Sequence, residues 1–136
     1  MMNRLVLTTA VVLATIGLAG LVGADTPSPT IKQAMAKLHK GATAALPSLK
    51  KALGEGSPDW KGVKTTATLI SELSAAITDQ SPPKGDKANY MTLSKAYAST
   101  ASDLKEAAEK EDLTAAKAAL GKLQGSCMTC HKAHKK

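Results

Sequence analysis

Cys127, Cys130 and His131 are the residues of this chain best placed to act together. They stand in the run Cys127-Met128-Thr129-Cys130-His131 near the end of 136 residues that contain no other cysteine. On a helix, positions three and four apart share a face, so the spacing puts both thiols and the imidazole on one side. Cys-x-x-Cys-His is the attachment signature of c-type haem. Its two thiols add across the two vinyl groups of one porphyrin, and the histidine reaches the iron from one face. The expected chemistry is one-electron redox or the binding of a small gas, at a single covalent haem c.

Two other chemistries use the same residue types. A redox-active dithiol wants its Cys-x-x-Cys beside a βαβ pattern, and no segment here alternates convincingly with period two. Zinc could draw on Cys127, Cys130, His131 and His134 as four N/S ligands. All four fall within eight residues of one helix, and so short a run closes a tetrahedral shell only with distortion. Nothing resembles a catalytic triad or a pair of acid/base carboxylates, so the chain reads as a carrier or binder, not an enzyme.

The elements that must position the motif are helical. Four apolar stripes recur with helical period. The first is Ile31, Met35, Leu38, Ala42, Ala45, Leu49, with Pro47 predicting a kink or an early end. The second is Trp60, Val63, Ala67, Ile70, Leu73, Ile77, opened by Ser57 as N-cap and Pro58 at the first helical position. The third is Tyr90, Leu93, Tyr97, Ala101, Leu104, Ala108, capped by Asp86. The fourth is Leu113, Ala116, Leu120, Leu123, Cys127, Cys130, His134, capped by Asp112. Short connections between four amphipathic helices predict an all-α, antiparallel up-down-up-down four-helix bundle. Because the cysteines continue the core stripe of the last helix, the haem is expected to face inward at one end of that bundle.

Residues 1–24 have the pattern of an export signal: Arg4, then an uncharged apolar run from Leu5 to Val22, then Val22-Gly23-Ala24. Cleavage after Ala24 leaves residues 25–136 as one domain in the periplasm or another exported location. A retained signal would be a borderline membrane anchor; after cleavage no stable span is expected. Residues 25–136 carry 17 lysines against 11 Asp and Glu, a formal +6. That charge suits a redox partner with an acidic face, and equally an ordinary solvated surface. No basic patch interleaves with aromatics, so nucleic acid is not expected. The same residues hold twenty alanines and only three aromatics, Trp60, Tyr90 and Tyr97. A haem would supply the apolar bulk such a core lacks.

An export signal, four helices and a C-terminal Cys127-x-x-Cys130-His131 together resemble the class II c-type cytochromes, the cytochrome c′ and c556 family. Class I cytochromes carry the motif near the other end. The resemblance spans Asp25 to Lys136 and implies thioethers at Cys127 and Cys130 with His131 as the proximal ligand. It also implies a basic residue four places after that histidine, where Lys135 stands, and an aromatic one place earlier, where this chain has His134. In the c556 branch a methionine on the first helix takes the sixth iron position, and Met35 sits there. In the c′ branch an apolar residue leaves the site open to NO or CO. The runs Met35-Ala36-Lys37-Leu38-His39-Lys40-Gly41 and Pro82-Pro83-Lys84-Gly85-Asp86 also look like small exported haem proteins of this class. Homodimerisation through the first two helices is familiar in the family, although the first helix here shows no clear second apolar stripe.

Three states of the sixth position follow from these residues. Met35 is favoured, on the apolar stripe and by the resemblance. His39, one turn later on the edge of the same face, is the alternative. An open site is the third. His/Met ligation would raise the reduction potential relative to His/His. Met128, inside the motif, lies on the proximal side and cannot cross the porphyrin plane.

Overall fold

The computed structural model describes residues 28–136, so the expected signal lies outside the described residues. Five α-helices carry the fold: α1 Ile31–His39, α2 Ala45–Gly54, α3 Trp60–Ala76, α4 Lys87–Glu109 and α5 Leu113–His134. No strand occurs among the described residues, and none of their helices is long and apolar enough to cross a membrane.

The helix ends follow from side-chain capping. Thr30 accepts from the Gln33 amide while Gln33 accepts from the Thr30 amide, a capping box that starts α1. Asp86 accepts from the Asn89 amide at 2.7 Å and Asp112 from the Ala115 amide at 2.9 Å, as expected for α4 and α5. The cap of α3 differs from expectation. Asp59, not Ser57, holds it, accepting from the Lys61 and Gly62 amides, and the helix begins at Trp60 rather than Pro58. A carboxylate satisfies two orphan donors with ionic hydrogen bonds, which a single hydroxyl cannot match.

The first stripe is also divided differently. The chain leaves α1 at Lys40, turns through Gly41 at φ 91°, and re-enters helix at Ala45. The break therefore lies upstream of Pro47, which sits in the first turn of α2. There its missing N–H costs nothing, whereas continuing one helix through 43–47 would drive its ring into the Thr43 carbonyl. Ala42, expected on the core stripe, is exposed in this turn.

α3 packs against α2 and α4, and α5 against α4 and α2, closing a ring of four. α1 and α2 both lie along α3, so together they form the first column of the four-helix bundle. Leu38, Leu46, Leu49, Leu53, Ile70 and Leu104 fill the centre. Gln80 ties the start of α1 to the end of α3. Its Oε1 accepts from the Ile31 amide and its Nε2 donates to the Pro29 and Ala76 carbonyls.

Between α4 and α5 the chain turns within Lys110–Asp112. The Asp112 amide bonds the Ala107 carbonyl and the Glu111 amide bonds that of Ala108, the pattern of a Schellman motif. Glu111 holds the left-handed position at φ 56°, and its carboxylate meets Lys64 at 2.6 Å. That pair is about half exposed and contributes at most about 1 kcal/mol.

Two glycines respond oppositely to an added methyl. Gly121 lies mid-helix on the exposed face of α5, with open space where a Cβ would stand. Gly121→Ala should raise stability by about 0.5–1 kcal/mol. Gly85 has φ +81° and its Cβ would lie 2.6 Å from the Ala133 carbonyl oxygen and 2.8 Å from His134 Nδ1. Gly85→Ala should cost about 1–3 kcal/mol from backbone strain alone, with more from the clash. Thermal unfolding of the two variants side by side checks both signs.

Candidate functional site

The last three turns of α5 carry the motif. Helical spacing puts Cys127, Cys130 and His131 along one side, and all three are partly buried. Met128 points out, 62 % exposed. Cys127 Sγ donates to the Leu123 carbonyl at 3.3 Å, and both thiols are free. Burial pushes both thiols above their ordinary pKa, and the neighbouring Cys127 adds to the rise at Cys130. Redox-active dithiols need the opposite shift, toward thiolate.

His134 belongs to a different structure. It is buried, with Nδ1 3.0 Å from the Lys84 carbonyl and Nε2 2.9 Å from the side-chain oxygen of Asn89. Its ring stands edge-on to Tyr90, centroids 5.4 Å apart at 82°. The imidazole thus takes the place where the resemblance implies an aromatic, and pins the end of α5 to the 84–90 segment. Gly85 is what lets that segment come so close. With both ring nitrogens engaged, His134 is withdrawn from any zinc set, and no group of three or more candidate metal ligands converges among the described residues.

Facing the motif is the end of α1. The His39 ring stands 6.3 Å from that of His131, centroid to centroid, with the planes at 70°. Burial first, and repulsion by His131 second, hold His39 below its ordinary pKa. Met35 lies one turn earlier, partly buried and packed against the hydrophobic core. Two tyrosines of α4 border the cysteines. Burial, and then Cys130, push Tyr90 up to about 12; burial, and then Cys127, push Tyr97 higher still. Tyr90 donates to the Ile77 carbonyl at 2.8 Å. The Tyr97 hydroxyl is buried with no hydrogen-bond partner among the described residues.

The residues present fit a haem. α5 packs on α2 and α4 but not on α1: no Cα of α1 comes within 8 Å of one in α5. At the level of the motif the two helices meet through the two imidazoles, close to two thiols and to the unpaired Tyr97 hydroxyl, a donor that a bound polar group would satisfy. Sequence reasoning marked Cys127, Cys130, His131, Met35 and His39, but not Tyr97 as an unpaired donor or Asn89 as the partner of His134. The Pro82–Asp86 run stood out in the sequence through the resemblance; the contact of its Lys84 carbonyl with His134 depends on tertiary packing. A separate open cleft of about 380 Å³ between α1, α2 and α3, lined by Lys40, Ser48 and Thr66, contains none of these groups.

Comparison with known proteins returns one family. The family described as cytochrome C′ has a model that matches residues 30–135, nearly all of the described chain. No curated protein and no solved structure matches the sequence.

Proposed function

This chain belongs to the cytochrome C′ family and binds one covalent haem c, and on that premise we propose that it is an exported carrier of single electrons. Bound haem supplies one Fe(III)/Fe(II) couple. The protein's part is to fix that group and to control what reaches it. Cys127 and Cys130 would hold it by two thioethers and His131 would supply a nitrogen ligand. A second side chain from α1 would complete the coordination, and ligands borne on helices would keep reorganisation small when the charge changes.

The observation that carries this reading is the His39 ring of α1 facing His131, which offers a second nitrogen ligand; were that ring to stay off the iron, the site would be free to take NO or CO. Export is supported by the signal pattern of residues 1–24.

The charge around the site supports a partner with an acidic face. Lys37 and Lys40 flank His39; Lys132, Lys135 and Lys136 surround the end of α5; Lys84 and Lys87 lie on the segment that holds His134. All seven are exposed, and Asp86, the cap of α4, is the carboxylate among them. Such a cluster attracts anionic reactants and is screened by salt.

The test starts with the protein exported alongside the haem-ligation machinery. Intact mass should equal the polypeptide plus one haem, and the ferrous spectrum should be low-spin and unmoved by CO. Oxidation by ferricyanide, an anionic one-electron acceptor, should slow several-fold between about 10 mM and 0.5 M salt. A high-spin ferrous form that takes up CO would replace electron transfer with gas binding.

A further inference from the structure

We infer that His39 is the second axial ligand, so that two imidazoles, from α5 and α1, grip the iron from opposite sides. The inference rests on the haem reading above and extends it by naming the residue on the far face. Metal–imidazole bonds are about 2.0–2.1 Å long, so two imidazoles on opposite sides of one metal ion hold their ring centres about 6 Å apart. The His39 and His131 centroids are 6.3 Å apart.

An edge-to-face contact between two rings covers the same range of distances, so the separation needs support from its surroundings. The backbone supplies the first support. The Cα atoms of α1 and α5 stay more than 8 Å apart everywhere, so these rings meet as long side chains reaching toward each other from two helices whose backbones are not in close contact.

The count of histidines supplies the second. The chain has three. His134 is buried with both nitrogens hydrogen-bonded. No hydrogen bond among the described residues engages the ring of His39 or of His131, so the two that face each other are the two with uncommitted ring nitrogens.

Two imidazoles should also set the potential lower than an imidazole–thioether pair would. The structure thus points to a low-potential carrier within the one-electron function.

Optical and EPR spectra of the haem-loaded protein decide the matter. Wild type should be low-spin in both oxidation states, without the thioether-to-iron charge-transfer band of Met-ligated ferric haem. His39→Ala should turn it high-spin and let the ferrous form bind CO, and added imidazole should restore the low-spin spectrum. Met35→Leu should leave the spectrum unchanged. Should His39→Ala fail to fold, His39→Met keeps the size and donor capacity of the site, and should make the thioether band appear and raise the potential.

A wild-type protein that already shows the thioether band, or loses its low-spin form in Met35→Leu, would overturn the assignment to His39 while leaving the haem reading intact. A ferrous wild type that binds CO would overturn it in favour of an open site. An intact mass equal to bare polypeptide would overturn both readings.

Discussion

The double variant Cys127→Ser, Cys130→Ser is expected to leave maturation with the mass of bare polypeptide, the largest change any substitution here should cause. Serine keeps the size and removes the nucleophile, so no thioether forms. Any haem found in the variant is held only through imidazole, and acidified organic solvent should strip it. Each single variant should retain one bond and resist extraction.

Loss of haem should also weaken the fold. The core is rich in alanine, with Ala34, Ala67, Ala101, Ala108 and Ala116 fully buried, and the backbones of α1 and α5 are not in close contact. A ligand bound only by the native state stabilises it by about 4 kcal/mol at a thousand times its dissociation constant, and covalent attachment makes that occupancy permanent. The double variant should melt well below wild type. Haem resistant to extraction in the double variant would remove these sulfurs from the site.

The second large effect is expected at Leu104. Its side chain is wholly buried in the cluster shared by the helices of the bundle. Leu104→Ala removes three heavy atoms from a close-packed site and leaves a cavity that its neighbours fill only in part. The cost should be about 2–5 kcal/mol, read as a melting temperature lower by roughly 10–20 °C for a domain of this size. Leu69→Ala is the control. Leu69 is 41 % exposed, and its loss should stay within about 0.5 kcal/mol. Equal effects at the two positions would contradict the burial pattern.

Much of this protein was legible along the chain because the information is local. Helical periodicity marked Val63, Ala67, Ile70 and Leu73, or Ala116, Leu120 and Leu123, as buried faces, and they are buried. Asp86 and Asp112 were readable as caps because a cap acts within three residues of itself. The Cys127–His131 run was readable for the same reason: its chemistry depends on residues three and four apart on one helix.

Where local signals competed, the stronger local interaction chose between them. Asp59 displaced Ser57 because its carboxylate satisfies two amide donors, and the chain broke at Gly41 because continuous helix through Pro47 would have cost a clash. The resemblance ranks Met35, on the apolar stripe, ahead of His39 on its edge. That the His39 ring meets the His131 ring is visible only in the fold, because the distance between α1 and α5 is set by the helices that pack on them. The capture of His134 by Lys84 and Asn89 spans 50 and 45 residues. No periodicity carries such a contact; it exists only once α4 and α5 lie side by side.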